Sequence, residues 1–468
     1  MRKQLLCLVL IIGTCAKNAP LRCCLAIALC LRFTDALPDS SMAAEVDRYV
    51  APYVSSNNFS GVVLIAQQGK VAYQKTFGFA DISAAQKNTF RTQFYLASMS
   101  MQFTAAAVMR LVELGRIRLD QSISGFVPGL PNGDTITVRQ LLEQTSGLPD
   151  VNALPEYPAI LDQHQTADSL IAYIKNKPPR FEPGDASRGE EHSAFNVLAL
   201  IVENVTHQPF ASALRRLIFD PLRMGNSGID DDSSNPAQIA TGYAPQGVRD
   251  LEVAQRIHWS AKTGNASAYA TANDLLKWRN AFFGDRYLGK KSRRLMLDYS
   301  RSHAGYGWFK NSSRRLGVPV FYMNGRAPGF ASFLMEVPSS NLTVIVLSNI
   351  YVSAVSDMGS DLAALMLAKP YEAPLLRASA PPATETEGIA GGYRFEADFY
   401  QPNAILTLEL KSLDARLRWP SDETTYLIPA SKDHFIDRSY WVPVALHRSS
   451  EGNVTLLGYD RFLGKRIN

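Results

Sequence analysis

The chain has 468 residues, of which 46% are hydrophobic and 10% aromatic, enough to bury a large core over two or three domains. This composition excludes a disordered chain, because such chains lack the apolar residues to form a core. The net charge of +5 is small for the length, and no Lys/Arg cluster is interleaved with aromatic residues. The sequence therefore predicts no nucleic-acid partner.

Residues 1–36 have the pattern of a targeting leader. Basic residues precede two apolar runs, 5–12 and 23–31, and each run is too short to span a bilayer. We predict an exported protein, periplasmic or secreted, whose only membrane contact would be an uncleaved leader. All five cysteines lie in this segment, so the mature chain would have no disulfide, cysteine nucleophile or thiolate metal site. We predict no cofactor and no metal.

Helix and strand patterns then alternate along the chain. An amphipathic helix is predicted at 43–54, and the stretch SGVVLIAQQGKVAYQKTFGFAD reads as a hairpin that turns at Gln68-Gly69. Helices are predicted from Ser98 to about residue 114, from Thr137 to the turn at Ser146-Gly147, and over SAFNVLALIVENVT. The strands FASFLMEVP and LTVIVLSN and a helix over 357–367 follow.

Strands at both ends with helices between them predict an α+β domain over 42–369. One antiparallel sheet would be completed by both ends of this domain, with a helical lobe inserted. Residues 370–387 are rich in Pro, Ala and acidic residues, which is typical of a linker. Short alternating runs over 388–468 predict a small all-β domain, a barrel or a sandwich.

Seven segments between residues 42 and 369 carry a recognisable pattern. In chain order they are FYLASMSMQFTAAAVMRLVELGRIRLDQSIS, ITVRQLLEQTSGLPD, FEPG, FNVLALIVENVTHQPF, TANDLLKW, YGWF and NGRAPGFASFLMEVPSSNLTVIVLSN. In sequence and in order they resemble the serine β-lactamase-like family, which includes class C β-lactamases, D-alanyl-D-alanine carboxypeptidases and related esterases. This resemblance implies an antiparallel sheet with a helical lobe and a serine nucleophile, and the C-terminal unit resembles the small β-rich appendage often found behind this domain.

The first catalytic motif of the family is Ser-x-x-Lys, in which the lysine shares the proton of the attacking hydroxyl. Here the serine is Ser98 and the lysine position is Met101. A thioether cannot take a proton. Ser98 is thus a candidate nucleophile without its base, and a helix N-cap is the alternative interpretation.

The second motif is Tyr-x-Asn, just before an amphipathic helix. Counting back from that helix aligns it with Glu190, Glu191 and His192, and counting forward from Pro183 aligns it one residue earlier. Neither register keeps the tyrosine or the asparagine. A solvated loop is the plainer interpretation of this stretch.

The third motif is Lys/His-Thr/Ser-Gly on the strand that lines the site, and here it reads Met323-Asn324-Gly325. The glycine is kept, and the cation is replaced by a second methionine. We predict a pocket beside Ser98 with an apolar floor, to which five residues contribute: Met101, Met323, Asn324, Gly325 and Arg326.

Three hypotheses follow from these motifs. The preferred one is an exported pseudoenzyme that binds a peptidoglycan-type peptide, a small ester or amide, or a protein partner. The second is an active hydrolase in which Ser98 attacks, His192 is the base and Glu190 or Glu191 orients it. The third is a weak esterase in which a distant Lys or Tyr reaches Ser98.

Overall fold

The computed structural model describes residues 40–185, 191–233, 238–300, 304–313, 315–371, 388–411 and 414–467. The chain divides into two units, residues 1–43 and 44–468, and the description below concerns the second. The predicted leader, nearly all of the predicted linker and Glu190 lie outside the described residues.

The helices are α1 (Ser40–Ser55), α2 (Met101–Glu113), α3 (Val138–Leu142), α4 (Tyr157–Leu161), α5 (Ala167–Ala172), α6 (His192–Thr206), α7 (Phe210–Leu214), α8 (Ala272–Phe283), α9 (Lys290–Met296) and α10 (Val355–Met366). The strands up to α10 are β1 (Gly61–Gln67), β2 (Lys70–Phe77), β3 (Phe79–Asp81), β4 (Gln86–Lys87), β5 (Phe94–Tyr95), β6 (Gly228–Ile229), β7 (Tyr243–Gln246), β8 (Asp250–Val253), β9 (Ala268–Ala270), β10 (Phe309–Ser313), β11 (Val318–Ala327), β12 (Phe330–Val337) and β13 (Leu342–Ser348). The strands after α10 are β14 (Gly391–Arg394), β15 (Ile405–Lys411), β16 (Asp414–Arg418), β17 (Thr424–Pro429), β18 (His434–Asp437), β19 (Pro443–Arg448), β20 (Val454–Tyr459) and β21 (Phe462–Ile467).

The central sheet has six antiparallel strands in the order β10-β11-β12-β13-β1-β2. Strand β1 pairs with β13, with Val63 opposite Val346, so a hairpin from the start of the domain completes a sheet built from its end. Nearly every residue of β1, β12 and β13 is buried, which requires cover on both faces of the sheet. Helices α8 and α10 pack on these strands. The predicted α+β architecture is confirmed.

The helical lobe is built around α2 and α6, which pack on each other. Both helices are buried along most of their length. In α2 the central residues, Ala105 to Ala107, are small and let neighbouring backbones approach. The main hydrophobic core joins these helices to the inner strands.

The C-terminal domain is a closed barrel in which β14 to β21 follow one another around the ring. Strand β14 closes it by pairing with β21, with Tyr393 opposite Arg466. A separate cluster of buried apolar side chains fills the interior. The predicted all-β domain is therefore confirmed as a barrel.

The loop after β18 anchors the barrel to the first domain. Arg438 is fully buried and donates from Nε to Asn58 Oδ1 at 2.9 Å. Its other nitrogens donate to backbone carbonyl oxygens of Asn57, Gly247 and Asp250. Burial lowers the pKa of this guanidinium to about 10, so it stays charged at neutral pH.

The same loop adds an aromatic contact. The rings of Trp441 and Tyr53 stack with their centroids 5.2 Å apart. The interface thus combines a buried cation, held by oxygen atoms on several segments, with ring stacking.

Candidate functional site

Ser98 lies in a tight turn between a short strand and a long buried helix. After β5, the chain forms a 3₁₀ turn over Ala97–Ser100 and continues into α2. Two bonds tie this turn to β9, since Leu96 N–H donates to Ala268 O and Ala268 N–H donates to Ser100 Oγ. Ala97 has a φ of +50°, a left-handed conformation that is rare for a residue with a Cβ.

The Ser98 hydroxyl is half-buried and makes no hydrogen bond within the described part of the chain. It does not cap a helix, because α2 begins three residues later and its N-cap position is Ser100, which makes no side-chain capping bond. The N-cap interpretation of Ser98 is therefore wrong. The strained turn instead presents this hydroxyl next to β11.

Strand β11 passes directly against the Ser98 turn. A Cβ added to Gly325 would lie 2.2 Å from Leu96 O and 2.9 Å from Ser98 N. Ser332, opposite Gly325 on β12, donates from Oγ to Leu96 O at 2.7 Å. The predicted juxtaposition of Ser98 with the strand of the third motif is confirmed, and it needs a glycine at this point.

Met101 and Met323 occupy the positions of the two lost cations, and each is 1% exposed. Both belong to the main hydrophobic core. Met323 is on the same face of β11 as Gly325, because side chains two residues apart in a strand point the same way. These positions therefore contribute apolar packing and no group that accepts a proton at neutral pH.

Asn324 and Arg326 lie on the outward face of β11 and are exposed. Arg326 donates from Nη1 to the carbonyl oxygen of Ser439 in the barrel at 2.7 Å. The prediction that these two side chains line the pocket with Met323 is thus corrected, since strand alternation turns them away.

Glu191 is buried and serves the turn that follows α3. Its carboxylate accepts bonds from Ser146 N–H, Ser146 Oγ–H and Gly147 N–H, all between 2.9 and 3.0 Å. Its own N–H donates to Gln144 Oε1. Burial raises the pKa of Glu191, while these donors oppose the rise. Glu191 is committed to this turn and is not the group on His192 Nδ1, whereas Glu190, the other orienting residue of the rewired mechanism, lies outside the described residues.

His192 begins α6 and is held by a different carboxylate. Its Nδ1 lies 3.0 Å from Asp150 Oδ2, and Arg180 is 3.9 Å from the same oxygen. Burial raises the pKa of Asp150, but the bond and charge of His192 lower it more, so the carboxyl is held below its usual value. Ser98 makes no hydrogen bond to His192 in the described residues. Asp150, which ends the TSGLPD segment, is a residue that sequence reasoning missed.

Lys262 is a second residue that the sequence analysis missed. It is 8% exposed, and its Nζ donates to Tyr157 Oη at 2.6 Å. Burial lowers the pKa of this ammonium to about 8, against the attraction of Asp150. The nearby Trp259 ring stacks on Tyr95, three residues before Ser98, with centroids 3.6 Å apart.

The signal for Lys262 was present in the sequence. Lys262-Thr263-Gly264 matches the Lys-Thr-Gly motif letter for letter, but it begins at the last residue of a 3₁₀ turn, Trp259–Lys262, and is not on β11. Its backbone joins two helices, because Thr104 on α2 donates to Gly264 O and Asn196 on α6 donates to Thr263 O, both at 2.6 Å.

Cofactor and membrane sites were searched over the described ranges alone. Within them, no group of three or more His, Cys, Asp or Glu side chains is arranged to hold a metal ion. The same ranges contain no helix with the length and apolar character needed to cross a bilayer.

Comparison with known families identifies the family of the first domain. The Beta-lactamase family matches residues 46–368. PbpX of Bacillus subtilis (strain 168) is 29% identical over 308 residues, which are 65% of this chain and 74% of that protein. The chain spans 63% of the length of several further curated relatives.

Solved structures share the fold at lower identity. The octameric penicillin-binding protein homologue from Pyrococcus abyssi is 20% identical with a TM-score of 0.63, and the match covers 90% of this chain and 99% of that chain. The D-amino acid amidase from Ochrobactrum anthropi SV3, complexed with L-phenylalanine amide, is 21% identical with a TM-score of 0.63, over 70% of this chain and 99% of that chain. At these identities the likeness concerns the fold.

Proposed function

The chain belongs to the beta-lactamase family, and from that premise we propose that it is a member without the family's hydrolytic activity. It binds an amide or peptide ligand, of the kind that cell-wall peptides present, in the cleft beside Ser98. The proposal includes export to the periplasm or the medium, which the leader pattern over 1–36 supports.

The observation that carries this proposal is the burial of Met101 one helical turn after Ser98. A general base contributes roughly 10²- to 10⁴-fold to a rate. Removing one member of a nucleophile–base unit costs nearly as much as removing the whole unit. Met323 stands at the cation position of the third motif. Neither motif position therefore offers a lysine to a tetrahedral oxyanion or to a ligand carboxylate.

The retained parts of the cleft support a binding role. The strained turn at Ala97 and the close approach of Gly325 preserve the backbone around the hydroxyl, although the side-chain chemistry has changed. Among structures of the same fold, one is an amidase in complex with an amide and another is a penicillin-binding protein homologue. An amide or peptide is therefore the first ligand class to test.

The test treats the purified full-length chain with a fluorescent penicillin and a fluorophosphonate, with Ser98→Ala as control. We expect intact-mass spectra without adduct at Ser98 for either reagent. Binding of a D-amino acid amide and of a peptide ending in D-alanyl-D-alanine is then measured by calorimetry. Ser98→Trp, which places a large ring at the proposed binding site, should abolish it. An adduct that Ser98→Ala removes would refute the loss of activity.

The His192–Asp150 pair favours a second candidate, an active hydrolase. A carboxylate that holds an imidazole through Nδ1 is one part of the arrangement of a catalytic triad. Catalytic hydrogen bonds are often long in unliganded enzymes and tighten on binding. In that case His192→Ala should slow fluorophosphonate labelling about 10²-fold or more, whereas Glu191→Gln should change it little.

A further inference from the structure

A cavity of about 450 Å³ opens in the C-terminal barrel, far along the chain from Ser98. The residues that line it are Tyr400, Gln401, Trp419, Tyr440, Val442 and Tyr459. Trp419 and Tyr459 are buried and form the floor, whereas Tyr400 and Tyr440 are 54% and 46% exposed at the mouth. We call the four aromatic side chains the aromatic box.

The rings of the aromatic box stand nearly at right angles to one another. Trp419 and Tyr459 have centroids 5.4 Å apart at 88°, and Trp419 and Tyr440 are 5.6 Å apart at 67°. Tyr400 meets Tyr459 at 83°. Perpendicular walls enclose a rounded group on several sides, whereas a sugar ring stacks on one flat face.

The hydrogen bonds of the box make its rings electron-rich. Each tyrosine hydroxyl donates to a carboxylate: Tyr400 to Asp460 at 2.6 Å, Tyr440 to Glu423 at 2.9 Å and Tyr459 to Asp437 at 3.1 Å. A phenol that donates to an anion gains negative character on its ring face, which is the face that attracts a cation.

The charges around the cavity favour a cation as well. The three carboxylates that accept these bonds lie beside the cavity. The guanidiniums nearby in the chain or in space are engaged elsewhere. Arg326 donates to Ser439 O, Arg418 to Glu409 and Arg438 to Asn57 and Asn58, and Arg461 lies 4.9 Å from the ring centre of Phe462. Neither the floor nor the walls of the box carry a basic side chain.

We propose that the aromatic box binds a quaternary ammonium group, such as the trimethylammonium of choline. Such a group is bulky, rounded and permanently charged, and it cannot donate hydrogen bonds, so ring faces recognise it better than carboxylates alone do. The cavity is larger than this group, which leaves room for an attached chain. The proposal does not depend on the function of the Ser98 cleft.

The experiment is calorimetric titration of the full-length chain with choline and with 3,3-dimethylbutan-1-ol, its uncharged isostere. We expect choline to bind at least about 10-fold more tightly, because the two differ only in charge. Phosphocholine distinguishes free choline from a lipid-type head group, because its phosphate would be repelled by the rim carboxylates Glu423 and Asp460. We therefore expect weaker binding of phosphocholine than of choline, and the reverse order would point to a lipid-type head group.

Variants at the exposed mouth test the walls without disturbing the floor. Tyr440→Leu and Tyr400→Leu should each weaken choline binding roughly 3- to 30-fold. Tyr173→Leu, which changes a tyrosine of the first domain that is 37% exposed, should leave choline binding unchanged. Equal affinity for choline and its isostere would overturn the proposal. So would choline binding that neither wall variant weakens, or binding of N-acetylglucosamine with none of choline.

Discussion

Around the start of α2, side chains at the positions of the family's cations have become apolar and are buried in the core. Around the start of α6, ionisable side chains come together: His192 faces Asp150, and Lys262 lies within the field of the same carboxylate. In the first region these positions bury no charge, so there is no desolvation cost to offset. In the second region charged groups are buried, and the attraction of Asp150 for His192 and Lys262 offsets their desolvation cost. The two regions therefore differ in buried charge, and they should respond differently to substitution and to pH.

The largest effect is expected at the backbone contact that the first region retains. Gly325→Ala places a Cβ against Leu96 O, which cannot move without displacing the Ser98 turn. We expect a loss of about 3 kcal/mol in the free energy of unfolding, measured by urea denaturation. Gly225→Ala is the control, because a Cβ there meets no atom within 4 Å. Equal stability of the two variants would show that β11 is not packed as described.

In the second region, the strongest expected response is a pH dependence of the free energy of unfolding. The folded-state pKa of Lys262 is about 8, below its ordinary value of 10.5. Between these values the unfolded chain binds more protons, so wild type should gain stability relative to Lys262→Met as pH rises. We expect a gain of about 3 kcal/mol between pH 7 and pH 10.5.

That difference is measured from urea curves of both proteins at several pH values. Lys87→Met, at an exposed position, serves as the control, and its difference from wild type should stay flat. If the difference in unfolding free energy between wild type and Lys262→Met does not change with pH, the ammonium is solvated. The second region then buries no charge at a desolvation cost.

In the first region, Met101→Lys should reduce stability without restoring activity. The ammonium would be buried at a site lined by core side chains, at a cost of about 1–3 kcal/mol. Met101→Leu, similar in volume, should stay within about 1 kcal/mol of wild type. Thermal unfolding and penicillin labelling are measured together. Acylation of the lysine variant would show that one residue alone separates this chain from an active enzyme.

The smallest expected effect comes from replacing Asp150, the partner of His192. Asp150→Asn should cost about 1 kcal/mol at pH 7, because an amide replaces an anion on the imidazole. The pKa of Asp150 is held below its usual value, so this contribution is present above the unfolded-state pKa. It should fade as pH falls through the folded-state value. An advantage of wild type that grows toward acid pH would contradict the pairing.

The fold could be predicted from the sequence because its signals are local and repeated. The hairpin around Gln68-Gly69 carries both β-branched runs and turn residues. The amphipathic helix that begins at His192 and the alternating runs after residue 388 carry equally regular patterns. The predicted linker and leader remain predictions.

The site was less predictable because its groups come from distant segments. Motif order was enough to place Gly325 beside Ser98, although 227 positions separate them in the numbering. No spacing rule indicates that Asp150 pairs with His192, or that Lys262 meets Tyr157, since those contacts depend on how loops fold over the lobe. Strand alternation could have excluded Arg326 from the pocket face, had the register of β11 been considered.

The burial of Arg438 limits which combinations of the two domains are compatible in evolution. The barrel supplies the cation, and the first domain supplies the oxygen atoms that surround it. Neither surface is complete without the other, so exchange of either domain with that of a distant homologue would strand a buried charge or its acceptors. Recombination between homologues is then tolerated only where both halves of this contact are inherited together.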